Sequence, residues 1–229
     1  MLFRNIIISA VILLLSSISA SAARGGEGDY VPEIGKGVRP EVQVLEKEQH
    51  DGYECRMIEF SVEAQERIKA YLLVPDGASR RNRKPAIVML HDHGARFDIG
   101  KEKLVRPMGA MLPLGEEDHI ARSSRQWVDK NFDGVWLADS LASLGYVVLV
   151  TDALYWGDRS SAQAQRWSEL TYGATPDRKM AKTLKTQVYE GQRDVFADLQ
   201  SKGVIWAEKM LRDDVASVRL LASLPYVDK

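Results

Sequence analysis

Apolar and polar positions change rhythm several times along this chain, and each change marks an element. "CRMIEFSV" (55–62) and "RIKAYLLVP" (67–75), rich in β-branched, aromatic and other apolar residues, predict two strands. The short "EAQE" between them makes the pair antiparallel. After the charged, Gly- and Pro-bounded loop "DGASRRNRKP", the run "AIVMLHDHG" (86–94) is continuously apolar up to its polar end and too short for a helix. Such a run predicts a strand buried on both faces of a parallel sheet. "GVWLADSLASLG" (134–145) places Val135, Leu137, Leu141 and Leu144 at helical spacing, with Gly145 where a helix closes in the left-handed conformation. "YVVLVTDA" (146–153) is a second buried strand. Strand, helix, strand in that order is a βαβ unit, so the fold class is α/β with a parallel component.

The segment from Ala95 to about Asp133 shows no clear period, and is read as a long insertion acting as a lid or holding structure of its own. Helix is expected from about Val188, with a weak point at Gly203. Its last part puts Ile205, Leu211, Val215, Val218, Leu221 and Leu224 on one face, until Pro225 stops it.

The N-terminus changes the reading of where the protein works. Residues 1–22, "MLFRNIIISAVILLLSSISASA", combine an early Arg4, an apolar run from Ile6 to Leu15 and small residues at Ala20 and Ala22. That pattern is a signal peptide with cleavage expected after Ala22, so the mature chain is secreted or periplasmic. The apolar run is short for a stable membrane anchor. Residues 23–45 read as an extended leader and 46–229 as the folded domain. Composition adds little: 45% hydrophobic, 28% charged and a net charge of −1 fit a globular domain with no basic face for nucleic acid. Cys55 is the single cysteine, so no intrachain disulfide can form, and its strand context makes it a small buried hydrophobe.

The candidate chemistry lies in "HDHG". His91 and His93, two apart on a strand, would face one side and could hold a metal with Asp92, Asp98 or Asp152. A second reading is polar capping of a strand end. A third is a turn in which a backbone N–H, that of His93 or Gly94, faces an oxyanion, where fixed donors lower a barrier most.

The third reading is carried by a resemblance. "PAIVMLHDHGARFDIGKEK", "LASLGYVVLVTDALYWGDR" and "LLASLPYVDK" together resemble the dienelactone hydrolase and acetyl xylan esterase-like branch of the α/β-hydrolases, over Ile58–Lys229 apart from the long insertion. The resemblance implies the N-terminal part of an α/β-hydrolase fold: an antiparallel strand pair followed by a parallel βαβ three-layer sandwich. It makes His91, Asp92, His93 and Gly94 the oxyanion turn, with Asp92 standing where glycine is frequent. It places Asp152, Trp156, Gly157, Asp158 and Arg159 at the cleft edge, where Asp152 and Arg159 could also form a structural ion pair. It implies a serine mechanism on small acyl esters, acetylated carbohydrate among them, with no cofactor and no metal. The family's G-x-S-x-G motif is missing. Only Ser79 follows a glycine at that spacing, and "GASRR" lacks the second glycine. The nucleophile is therefore expected shortly after Lys229, with acid and base further on. On that reading the chain is an incomplete domain, inactive alone, whose open sheet edge could pair with a complementing C-terminal segment or serve as a non-catalytic binding surface.

Overall fold

The computed structural model describes residues 40–63, 66–109 and 118–228. The segment read as a signal peptide, and most of the leader, lie outside them.

A hairpin opens the fold. Strand β1 (Val42–His50) pairs antiparallel with β2 (Tyr53–Glu63) across the two-residue turn Asp51-Gly52, and Gly52 takes φ +85°. Asp-Gly suits this turn because glycine accepts the positive φ that matches the twist of the strands. β1 thus begins inside the stretch read as leader. β2 pairs antiparallel with β3 (Glu66–Pro75), as the short connection between them predicts. β3 continues antiparallel into β5 (Val147–Thr151), and β5 pairs parallel with β4 (Ala86–Met89). The order is β1-β2-β3-β5-β4, a mixed five-stranded sheet.

Each face of the sheet is covered by a helix. On one, Ile58, Phe60, Leu72, Val147 and Leu149 pack with Ala216, Leu220 and Leu221 of α5 (Trp206–Ser223). On the other, Tyr53, Cys55, Leu73, Val148 and Val150 meet Ala138 and Ala142 of α2 (Leu137–Ser143), the helix of the βαβ unit. Every residue of β5 is buried, and each such Val or Leu contributes about 1.5–3 kcal/mol. Burial pushes the Cys55 thiol far up, which fits a core residue rather than a nucleophile.

The long insertion holds structure of its own. It contains a 3-10 turn (Lys101–Lys103) and α1 (His119–Asn131), which starts where the Asp118 carboxylate accepts the Ala121 N–H at 2.7 Å. α3 (Ala162–Tyr172) follows β5 and packs against α1 and α4 (Arg178–Ser201). α4 starts well before the expected Val188, because Asp177 caps it through Lys179 N and Met180 N. The break at Gly203 is present, at φ +71°. On α5 the buried stripe is Asp213, Val215, Ala216, Ser217, Leu220 and Leu221, so the apolar face is rotated from that expected. Ile205 and Leu211 are exposed instead.

β4 is at the end of the sheet. Lys84 N donates to Tyr226 O at 2.9 Å and Asp228 N to Lys84 O at 2.8 Å, forming a parallel bridge between Lys84 and Val227. Along Ala86–Met89, no strand among the described residues lies against β4 on the side away from β5.

Candidate functional site

The parallel strands β4 and β5 deliver their C-terminal ends side by side. The His91–Gly94 turn leaves the first and Asp152 the second. This is where open α/β sheets place their ligand crevices.

His91 stitches the two together. Its Nε2 accepts the Ala153 N–H at 3.0 Å, so Nδ1 carries the proton and donates to the Asp92 carbonyl at 2.9 Å. Burial lowers its pKa, so the ring is neutral in this role. His93 instead lies in the exposed turn, with its ring edge-on to Trp156 at 4.8 Å. Both His91 nitrogens are committed, and no group of three or more potential ligands among the described residues is arranged to hold a metal ion. The two histidines therefore have different jobs.

The backbone of the turn is fixed from behind by Lys103, which is fully buried. Its Nζ donates to the Asp92 carbonyl at 2.8 Å and the His93 carbonyl at 3.1 Å, and it lies over the Trp127 ring at 5.1 Å. Trp156 Nε1 donates to the same His93 carbonyl at 3.0 Å. In a trans peptide the carbonyl of one residue and the N–H of the next point opposite ways. With both carbonyls drawn inward, the N–H groups of His93 and Gly94 face away from Lys103. Gly94 takes φ +48°, in the left-handed region. A Cβ there would strike the Trp127 ring and the Asp92 carboxylate, so the sequence can place only glycine at this point.

Asp152 anchors the floor. Its carboxylate accepts Lys101 N at 2.7 Å, Lys101 Nζ at 2.8 Å and Asp158 N at 3.0 Å. The buried Lys101 ammonium also meets Glu102 and Asp158, each at 2.8 Å. Burial alone would lower the Lys101 pKa, but Asp152, Glu102 and Asp158 hold it well above the lysine range. Burial pushes the Glu102 carboxyl up, with Asp152 adding to it, whereas Lys101 overrides burial to hold Asp158 low. The carboxylate of Asp152 therefore pairs with Lys101, not with Arg159. Arg159 donates to the Asp152 carbonyl at 3.1 Å and forms its ion pairs with Asp213 at 2.8 Å and Glu66 at 2.9 Å. Trp156 and Gly157 are buried beneath the turn, and Asp158 alone of this group is exposed. A Cβ on Gly157, at φ +54°, would enter the Asp152 carboxylate.

Sequence reasoning located the turn and Asp152 but missed Lys101, Lys103 and Trp127. "GKEK" gives no local signal, because lysines on a polar loop are ordinarily solvated.

No family model matches the chain, and no curated protein does. Among solved structures it is similar to a Bacteroides fragilis protein assigned as an acetyl xylan esterase, with a TM-score of 0.56 and 17% identity. The match covers 85% of this chain and 40% of that one, so the chain spans well under half the length of its structural neighbour. At that identity the likeness is one of fold: an esterase-like α/β architecture.

Proposed function

We propose that this chain contributes the N-terminal part of a carboxylic ester hydrolase of the α/β-hydrolase kind. In this reading the His93 and Gly94 N–H groups receive the negative oxygen of the tetrahedral intermediate. The serine nucleophile arrives on a parallel strand added along the free edge of β4. Small acyl esters are the substrates, acetylated carbohydrate among them, and the protein is exported through the segment ending at Ala22. Neither a cofactor nor a metal takes part.

One observation carries the reading. An inward-locked turn stands at the C-terminal end of a parallel strand, beside an edge where the chain already begins to pair at Lys84 and Val227. Lys84 and Pro85 fix which way β4 faces. Pro85 O accepts Val147 N from β5 at 2.9 Å, whereas both Lys84 backbone groups face outward. By alternation, Ala86, Val88 and Leu90 also present their N–H and C=O groups outward. A strand continuing from Asp228 would bring its C-terminal end level with His91.

The test is to read the coding sequence beyond the Lys229 codon and assay the encoded protein. A G-x-S-x-G motif shortly downstream is expected, with hydrolysis of p-nitrophenyl acetate that is lost when that serine becomes alanine. A stop codon with no such motif, and no hydrolysis by the purified protein, would overturn the reading. The same free edge favours a second reading, a non-catalytic module that captures a partner strand. Purification as a stable complex without esterase activity would select it.

A further inference from the structure

We propose that Lys103 is the positioning residue of the oxyanion turn: its ammonium holds the two peptide planes between Asp92 and Gly94 in the receiving orientation and adds a positive charge behind them. This rests on the hydrolase reading for its purpose, but not for its geometry.

Three features separate this lysine from an ordinary buried ion pair. First, its closest partners are carbonyl oxygens, at 2.8 and 3.1 Å, while the nearest carboxylate oxygen, on Asp92, is 4.0 Å away. A lysine present only to neutralise charge would be drawn onto a carboxylate, as Lys101 is. Second, the two carbonyls belong to consecutive peptides. Polarising them draws electron density from the N–H groups on their far sides and strengthens those donors. Third, the ammonium is walled off from water by aromatic rings, Trp127 of α1 at 5.1 Å and Trp156 at 5.9 Å, so its field is weakly screened.

The groups around it also make the device sensitive to pH. Burial pulls the Lys103 pKa down to about 8, with Arg96 lowering it further and Asp92, Asp98 and Asp152 opposing the fall. From the remaining packed elements, α1 presents Trp127 and the loop after β5 presents Trp156, neither of which titrates here. The neutral His91 shares the Asp92 carbonyl. Losing the proton above pH 8 leaves an amine that donates more weakly to both carbonyls and carries no charge, so the turn should receive anions best below that pH.

The experiment uses the 229-residue protein, labelled with nitrogen-15. The amide signals of His93 and Gly94 are followed from pH 6 to 10, then at pH 7 with sodium acetate as an anionic probe. Both amides should shift with a common midpoint near 8. Acetate should perturb both at pH 7 and about tenfold more weakly in Lys103→Met, the scale of one charge-assisted hydrogen bond. Lys103→Arg, which keeps the charge, should restore the acetate response without the titration. Flat His93 and Gly94 signals across pH 8 in the unsubstituted protein would overturn the proposal, and that arm needs no variant to fold. So would a folded Lys103→Met protein whose acetate response is unchanged. Either failure leaves the ester hydrolase reading to its own test, because the turn could receive an oxyanion without help from Lys103. Conversely, absence of a downstream nucleophile would leave these amide shifts intact.

Discussion

His91 is neutral because both of its hydrogen bonds require one proton and burial disfavours a second. Its folded pKa is therefore below the ordinary 6.5. Between those two values the unfolded chain binds more protons, so stability is complete above about pH 6.5 and falls as pH drops toward the folded value. His50 is lowered as well, by burial first and then by Arg106, and adds to the same slope. His91→Gln should flatten, but not abolish, the fall in urea midpoint between pH 7 and 5. An identical slope in both proteins would show that His91 titrates as in an unfolded chain. Lys101 makes a harsher case. Lys101→Met leaves Asp152, Glu102 and Asp158 facing one another without their cation, at a cost of about 3–5 kcal/mol by urea unfolding. A loss under 1 kcal/mol would mean that water already shares the cluster. At this scale the sequence was half legible. His91, Gly94 and Asp152 stood out because polar residues ended apolar runs, whereas nothing local marks Lys101 or Lys103 as buried. Their burial follows from the chain folding back beneath its own turn.

Elements were legible where apolar spacing was regular and invisible where it was not. β2, β3, β4, α2 and β5 all carry a period or a continuous run. β1 carries neither: it is an edge strand with most residues exposed, and its first residues, Val42 to Leu45, fall in the stretch read as leader. The Asp51-Gly52 pair was the available signal, since Asp-Gly between extended segments marks a hairpin. α1 was hidden in the long insertion because it buries small residues, Ala121, Ser123 and Ser124, rather than an apolar stripe. On α5 a buried Asp213, paired with Arg159 and Lys209, stands where an apolar residue would be expected, and this rotates the face. The geometry of β4 gives an element-scale prediction. Ile87 and Met89 turn their amides toward β5 while Ala86 and Val88 turn theirs outward. In the 229-residue protein kept dilute enough to stay monomeric, amide exchange should alternate along β4, slow at Ile87 and Met89 and fast at Ala86 and Val88. Uniform protection would mean that another strand already covers this edge.

For the whole molecule, the same edge sets how the protein behaves in company. Proteins normally blunt an exposed strand edge with charge, proline, a bulge or a covering element. Here the strand "AIVM" carries no charge, and Leu90 just beyond it is 60% exposed. Just before it, the backbone of Lys84 is already engaged by the chain's own Tyr226–Asp228 segment. Strand addition therefore has a defined start and direction but, among the described residues, no occupant. At micromolar concentration the 229-residue polypeptide should associate through β4, and sedimentation velocity should show the associated fraction rising with concentration. Leu90→Lys places a charge on the edge without disturbing the core. It should shift the population toward monomer while moving stability by no more than about 0.5 kcal/mol. An added peptide that pairs in parallel along Ala86–Leu90 should suppress association in the same way and slow exchange at Val88. If the polypeptide stays monomeric at every concentration, or if Leu90→Lys associates as readily as its parent, the β4 edge is not the adhesive surface. The hydrolase reading would then need another place for its nucleophile strand.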